Sequence, residues 1–204
     1  MHPNPLFRTE DRALCENLIA QIGFGMVFAA TPDGPRVAHT PLLLADGGPD
    51  EPWAVQFHLA RSNALARHLD GETALFVVNG PDAYVSPRWY DNRDTVPTWD
   101  YVTLELEGRV RRMADAGLEA FLHAAIGKHE GKLEGTPWLA EESSEKMWSG
   151  LFRGIVGFEL EVLAWRPTLK LSQNKSAEER ARIAEGLGAA GHRALADLVR
   201  NIPA

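Results

Sequence analysis

Four stretches of this sequence concentrate side chains able to hold a ligand. They are the strand-like run that begins His39-Thr40-Pro41, the segment from His58 to Asn63, an aromatic region spanning residues 86–101, and the donor-rich Lys170-Leu171-Ser172-Gln173-Asn174. Arg61-Ser62-Asn63 sits where a strand is predicted to end and a short helix, residues 63–69, to begin. A helix start exposes unpaired N–H groups and carries partial positive charge, so it suits an anion. Arginine adds a planar fork of donors matched to phosphate, and serine adds a hydroxyl. An ordinary N-cap beside a surface arginine would look the same, and no Walker-type glycine loop accompanies it.

The aromatic region places Trp89, Tyr90, Trp99 and Tyr101 within thirteen positions, with Pro87 and Pro97 stiffening the backbone. Rings with polar tips suit stacking on a planar ligand or filling an interface. They serve equally to close a long loop over a minor core. Lys170, Ser172, Gln173 and Asn174 follow a predicted strand, where they can meet a phosphate, a polyhydroxylated chain or a partner subunit, or form a solvated linker. His39 and His58 fall on strands, and His123 and His129 flank a helix end with Glu119 one turn earlier. None has the spacing of a metal site, so no metal is expected. Cys15 falls beside the apolar stripe of the first helix and is expected to be a buried, inert thiol. Neither a nucleophile elbow nor a dinucleotide fingerprint is present.

The elements that must position these groups can be read from periodicity. A first helix is predicted over residues 10–22, with Thr9 as N-cap and Leu14, Leu18, Ile19 and Ile22 on one face. Residues 26–30 and 36–44 form a hairpin across Pro32-Asp33-Gly34-Pro35. A loop follows over residues 46–52. Residues 53–59 alternate as a half-buried strand. Residues 74–78 form an apolar strand ended by Asn79-Gly80-Pro81, with a short piece at 83–86. Residues 102–110 alternate again, and residues 155–165 return to strand. Helices are predicted at 115–128 and 144–151. Ser176 and Glu179 carry a capping-box pattern that opens a helical hairpin turning at residues 188–191.

The strands are mostly consecutive, and their connections are too short for right-handed parallel crossovers. The prediction is a mainly β protein, an antiparallel barrel or sandwich with peripheral helices. It is divided as residues 1–174 with a C-terminal helical hairpin at 175–204.

The bulk properties narrow the function. With 204 residues, 45% apolar and 24% charged, the chain can bury a core without staples. The net charge of -7 argues against a nucleic-acid-binding protein, whose phosphate contacts demand a basic surface. Residues 175–204 hold five basic and four acidic side chains, a poor recognition element. A single cysteine fits a reducing compartment, the first residues lack a secretory pattern, and no apolar run reaches the ~20 residues of a membrane span. These features lead to the expectation of a soluble, cytoplasmic protein with no membrane partner.

Taken together, the stretches 39–44, 58–63, 79–90, 96–101, Gly108-Arg109 and 170–174 resemble, in order, the FMN-binding negative transcriptional regulator family of the PaiB type. That family lies within the split-barrel flavoproteins related to pyridoxamine phosphate oxidase and flavin reductases. The resemblance implies a split β-barrel homodimer with FMN at the subunit interface. By position it implies that Arg61, Ser62 and Asn63 approach the FMN phosphate, and that His39, Thr40 and Pro41 pass the isoalloxazine edge. Trp99 and Tyr101 would stand at the dimer–flavin boundary, and Lys170, Ser172, Gln173 and Asn174 would close the site. The family pattern often has His where this chain has Asp82 and Asn where it has Asp100, so Asp100 is expected to place a negative charge near the flavin. The implied output is FMN binding. An FMN-dependent oxidoreductase acting on a small molecule and a transcriptional regulator are the alternatives, and strong direct DNA binding is not expected.

Overall fold

The computed structural model describes residues 3–45 and 53–202; the predicted loop at 46–52 lies outside the described residues. The chain divides into two units. One comprises Glu16–Val78 and Leu106–Trp165, the other Met1–Cys15, Asn79–Glu105 and Arg166–Ala204.

The first unit holds an antiparallel barrel. Its strands are β1 (Phe24–Thr31), β2 (Gly34–Leu44), β3 (Ala54–Ala60) and the barrel halves of β4 (Thr73–Val85), β5 (Thr98–Arg112) and β6 (Ile155–Lys170). They close in the order β1-β2-β3-β6-β5-β4. Closure leaves no unpaired edge, which removes the main aggregation hazard of a sheet. The register sets Met26 opposite His39 and Val77, and Phe57 opposite Leu42 and Phe158. Period-2 alternation therefore turns Val27, Leu42, Val55, Phe57, Leu59, Phe76, Leu106, Phe158 and Leu160 inward, all buried. Phe57 is the hub, with its ring 5.3 Å from Phe76 and 5.6 Å from Phe158.

Helix α2 (Asp115–Glu130) covers the outside of this barrel. Leu118 and Phe121 bury against Leu43, joined by Met113, Leu122, Ala125, Phe152 and Ile155. Helix α3 (Glu145–Phe152) starts at Ser144, whose hydroxyl accepts the Met147 N–H.

The second unit contains the remaining halves of β4, β5 and β6 together with the tail helices α4 (Ala177–Ala189) and α5 (Arg193–Asn201). Ser176 caps α4 by accepting the Glu179 N–H at 3.1 Å. The Glu179 carboxylate does not complete the predicted box, because it accepts the Asp91 N–H instead. Ile183, Ala184 and Leu187 of α4 and Leu195, Ala196 and Val199 of α5 are buried. The Trp89 ring lies against Gly186 of α4.

Several sequence expectations need correction. The Asn79-Gly80-Pro81 run does not end a strand; β4 continues unbroken to Val85. The reason is local: a Cβ at position 80 would stand 2.9 Å from Val102 Cβ, so glycine marks the close approach of β5, not a turn. Helix α1 (Arg12–Ile22) is capped by Asp11, whose carboxylate accepts the Leu14 N–H, while Thr9 accepts that of Asp11. Its fully buried positions are Cys15 and Ile19, whereas Leu14 is 40% exposed. Residues 63–69 form no helix but a run of turns, with Ala66 N donating to Asn63 O and His68 N to Leu65 O.

Candidate functional site

In the barrel unit, β2 carries His39, Thr40 and Pro41, and the turn after β3 carries Arg61, Ser62 and Asn63. His39 is exposed and Thr40 is buried. The Thr40 hydroxyl donates to the His58 carbonyl at 2.6 Å, tying β2 to the end of β3. It therefore fixes backbone and has no proton left for a ligand. The turn is built from its own side chains. Asn63 Oδ1 accepts the Leu65 N–H at 2.9 Å, and the Arg61 N–H donates to Gly154 O. Arg61 Nε donates to the Arg153 carbonyl at 2.8 Å.

That single bond orients an exposed guanidinium while leaving its Nη groups without a partner among the described residues. The Ser62 hydroxyl beside it is exposed and equally uncommitted. An oriented arginine fork with an adjacent hydroxyl fits a phosphate by donor chemistry alone, without the helix start that the sequence suggested. His58, three residues before Arg61, lies edge-on to Phe121 with its Nδ1 buried and unpartnered. Burial pushes its pKa down.

In the second unit, Trp99 and Tyr101 line a recess of about 320 Å³ together with Asn79, Gly80, Asp82, Val102 and Thr103. Trp99 is 55% exposed and meets the Tyr84 ring at 6.4 Å, edge to face. The four aromatic residues that crowd the sequence do not form one cluster. Trp89 packs under α4, Tyr90 belongs to a different cavity, and only Trp99 and Tyr101 share this recess.

That other cavity, about 250 Å³, is lined by Asn4, Phe7, Tyr90, Thr95, Val96, Thr98, Asp100, Lys170, Ser172, Asn174 and Lys175. Its floor is a closed polar network. The Lys170 ammonium donates to Thr98 Oγ1 at 2.7 Å, to the Trp99 carbonyl and to Asp100 Oδ1 at 3.4 Å. An ammonium has three protons, so Lys170 is saturated within the unit. The Ser172 hydroxyl donates to Asp100 Oδ2 at 2.6 Å. Ser172 itself stands at φ 58°, a left-handed conformation that costs energy for a residue with a Cβ.

Asp100 is fully buried. Burial raises its pKa, against the lowering effect of Ser172 and Lys170. The negative charge expected to face a ligand is thus countered inside the protein. Gln173 is also internal: its Oε1 accepts the Leu171 N–H, and its Nε2 donates to the Leu169 carbonyl. Of the four late residues read from the sequence, only Asn174 has a side chain free of partners among the described residues. Lys175, the next residue, was missed by sequence reading although it adjoins the block. Its ammonium stands 3.9 Å over the Tyr90 ring centroid.

A small antiparallel barrel whose three longest strands also build a second unit is the split-barrel fold. Known structures share it: an FAD and heme binding protein of Mycobacterium smegmatis (TM-score 0.59, 18% identity, 88% of this chain and 80% of that one) and the flavocytochrome Anf3 of Azotobacter vinelandii (TM-score 0.57, 16% identity, 83% and 72%). The chain belongs to the family described as "Putative FMN-binding domain", which it matches over residues 1–164, and the cofactor of that family is FMN. It is also 30% identical over 172 residues to the protein named "Protease synthase and sporulation protein PAI 2" of Bacillus subtilis, covering 84% of this chain and 81% of the relative. The family match stops short of the Lys170–Lys175 segment. Among the described residues no helix is long and apolar enough to cross a membrane, and no cluster of three potential metal ligands occurs.

Proposed function

We propose that the chain binds FMN as a homodimer, with the flavin held along the seam between two copies. The observation that best supports this is the Arg61-Ser62 pair: a guanidinium locked through Nε by a backbone carbonyl, with its remaining donors and a neighbouring hydroxyl turned over to a ligand. That pair, with Asn63 shaping the turn, takes the phosphate.

Backbone groups of His39, Thr40 and Pro41 read the ring edge, and the Thr40 hydroxyl holds that strand in place. Trp99 and Tyr101 supply aromatic faces that a partner copy or the flavin ring would cover, a large exposed Trp being typical of such surfaces. Asn174 offers an amide, while Lys170, Ser172 and Gln173 hold the loop that carries it. When bound, FMN supplies one- and two-electron redox chemistry. The side chains bind, orient and exclude water, and none is assigned a catalytic role.

The output is kept at flavin binding. An oxidoreductase acting on a small molecule would use the same pocket with a substrate beside the ring. A role in gene regulation is the second alternative; the name of the Bacillus relative refers to protease synthesis and sporulation. The tail hairpin buries its apolar stripes and carries almost no net charge, so we assign it to packing and not to DNA contact. The single cysteine is buried, as suits a reducing, cytoplasmic setting.

Titration of the purified chain with FMN, followed by flavin fluorescence, and light scattering of the loaded protein test the reading. Uptake with a dimer mass is expected. Arg61→Ala, which removes charge-assisted bonds worth about 2 kcal/mol, should weaken FMN at least ten-fold. Absence of uptake, or a loaded monomer, would sink it.

A further inference from the structure

We infer that the cavity beneath Tyr90 is a binding site for a small oxyanion, phosphate being the type, with Lys175 as its cationic anchor. The cavity wall contains two ammonium groups and one carboxylate. Lys170 and Asp100 cancel each other, and all three protons of Lys170 are used on Thr98, Trp99 and Asp100. Lys175 therefore supplies the net positive charge of the lining, and it makes no ion pair among the described residues.

Its ammonium is held over the Tyr90 ring, which fixes its position without spending its protons. Three further lining groups are uncommitted among the described residues: the Asn174 amide, the Thr95 hydroxyl and the Tyr90 hydroxyl. Tyr90 is 7% exposed. Burial, then the charges of Asp100 and Glu179, raise its pKa, so it remains a protonated donor. Glu179 is the other nearby carboxylate, and its Oε1 accepts the Asp91 N–H at 3.1 Å.

A cation, an amide, a phenol and a hydroxyl around about 250 Å³ match a phosphate with several oxygens to satisfy. The Asp100–Ser172–Lys170 network acts as the rigid floor that places residues 174 and 175. The oxyanion has two sources, the phosphate tail of FMN, which would then lie here in place of the Arg61-Ser62 turn, or a separate phosphorylated small molecule. Only the first rests on the proposed flavin reading.

Calorimetry of the full chain with inorganic phosphate, and fluorescence titrations with FMN and riboflavin, distinguish them in wild type, Lys175→Gln and Lys175→Arg. If the FMN tail is the occupant, Lys175→Gln weakens FMN at least five-fold, leaves riboflavin unchanged, and bound FMN abolishes phosphate binding. If a separate ligand is the occupant, FMN affinity stays the same, phosphate still titrates into FMN-loaded protein, and Lys175→Gln weakens phosphate at least five-fold. Lys175→Arg restores binding in either case. The inference is overturned if wild type binds no phosphate and its FMN affinity ignores Lys175, or if Lys175→Gln binds phosphate as wild type does. A chain that takes up no flavin yet loses phosphate on Lys175→Gln would refute the flavin reading and uphold this one.

Discussion

Placing a methyl group on two glycines should move stability in opposite directions. Gly108 lies in β5, where an added Cβ would stand 2.0 Å from the Glu161 carbonyl oxygen and 2.7 Å from Leu160 Cδ2. Ordinary contact begins near 3.4 Å, so one strand must retreat by about 1.4 Å. Neither has freedom to do so, because Glu161 of β6 is paired on its other side with Ala54 of β3. The obstacle is backbone, which cannot rotate away as a side chain does.

Overpacking typically costs 1–3 kcal/mol, and a backbone clash in a closed ring lies at the upper end, about 3 kcal/mol. For a chain of this length each kcal/mol moves Tm by roughly 2–4 °C, giving a fall of about 6–12 °C. Gly127 sits exposed inside helix α2, and its added Cβ meets nothing within 4 Å. There alanine relieves the helix penalty of glycine, a gain of about 0.5–1 kcal/mol and a rise of about 2 °C. Differential scanning calorimetry of both variants at one protein concentration reads the two shifts. Should Gly108→Ala melt at or above wild type, the close approach of β5 to β6 at this position is wrong.

The remaining predictions concern polar groups. Asp100→Ala leaves the Lys170 ammonium without its counter-charge and Ser172 without its acceptor. It should cost about 3 kcal/mol in denaturant unfolding, while Asp100→Asn, which keeps an oxygen for Ser172, costs less. Two variants indistinguishable from wild type would show that the network contributes nothing to stability.

His58 has a folded pKa below its unfolded value of 6.5, so it binds a proton more readily unfolded. Its contribution is present above pH 6.5 and lost as pH falls through the lowered folded value. Wild type should lose Tm as pH falls below about 6.5 more steeply than His58→Gln, and parallel profiles would contradict the buried position of this ring.

The sequence by itself determined most of the strands and helices, because a period of two or 3.6 in apolar residues is a local property that burial must obey. The alternation of residues 53–59 announced an inward face before any contact was known. Ser176 announced its helix start through capping chemistry. Family membership was likewise legible, since it rests on short blocks in fixed order.

Long-range contacts decided the rest. Gly80 reads as a strand breaker until Val102 is brought against it. Residues 63–69 read as a helix until Asn63 turns its side chain onto the backbone. Lys170 and Asp100 stand seventy positions apart, and nothing local says that they neutralise each other. Tertiary structure converts Lys170 from the obvious ligand cation into part of a floor and leaves the inconspicuous Lys175 as the uncommitted charge. A side chain's availability depends on which partners have consumed its protons and lone pairs, and those partners are set by the fold.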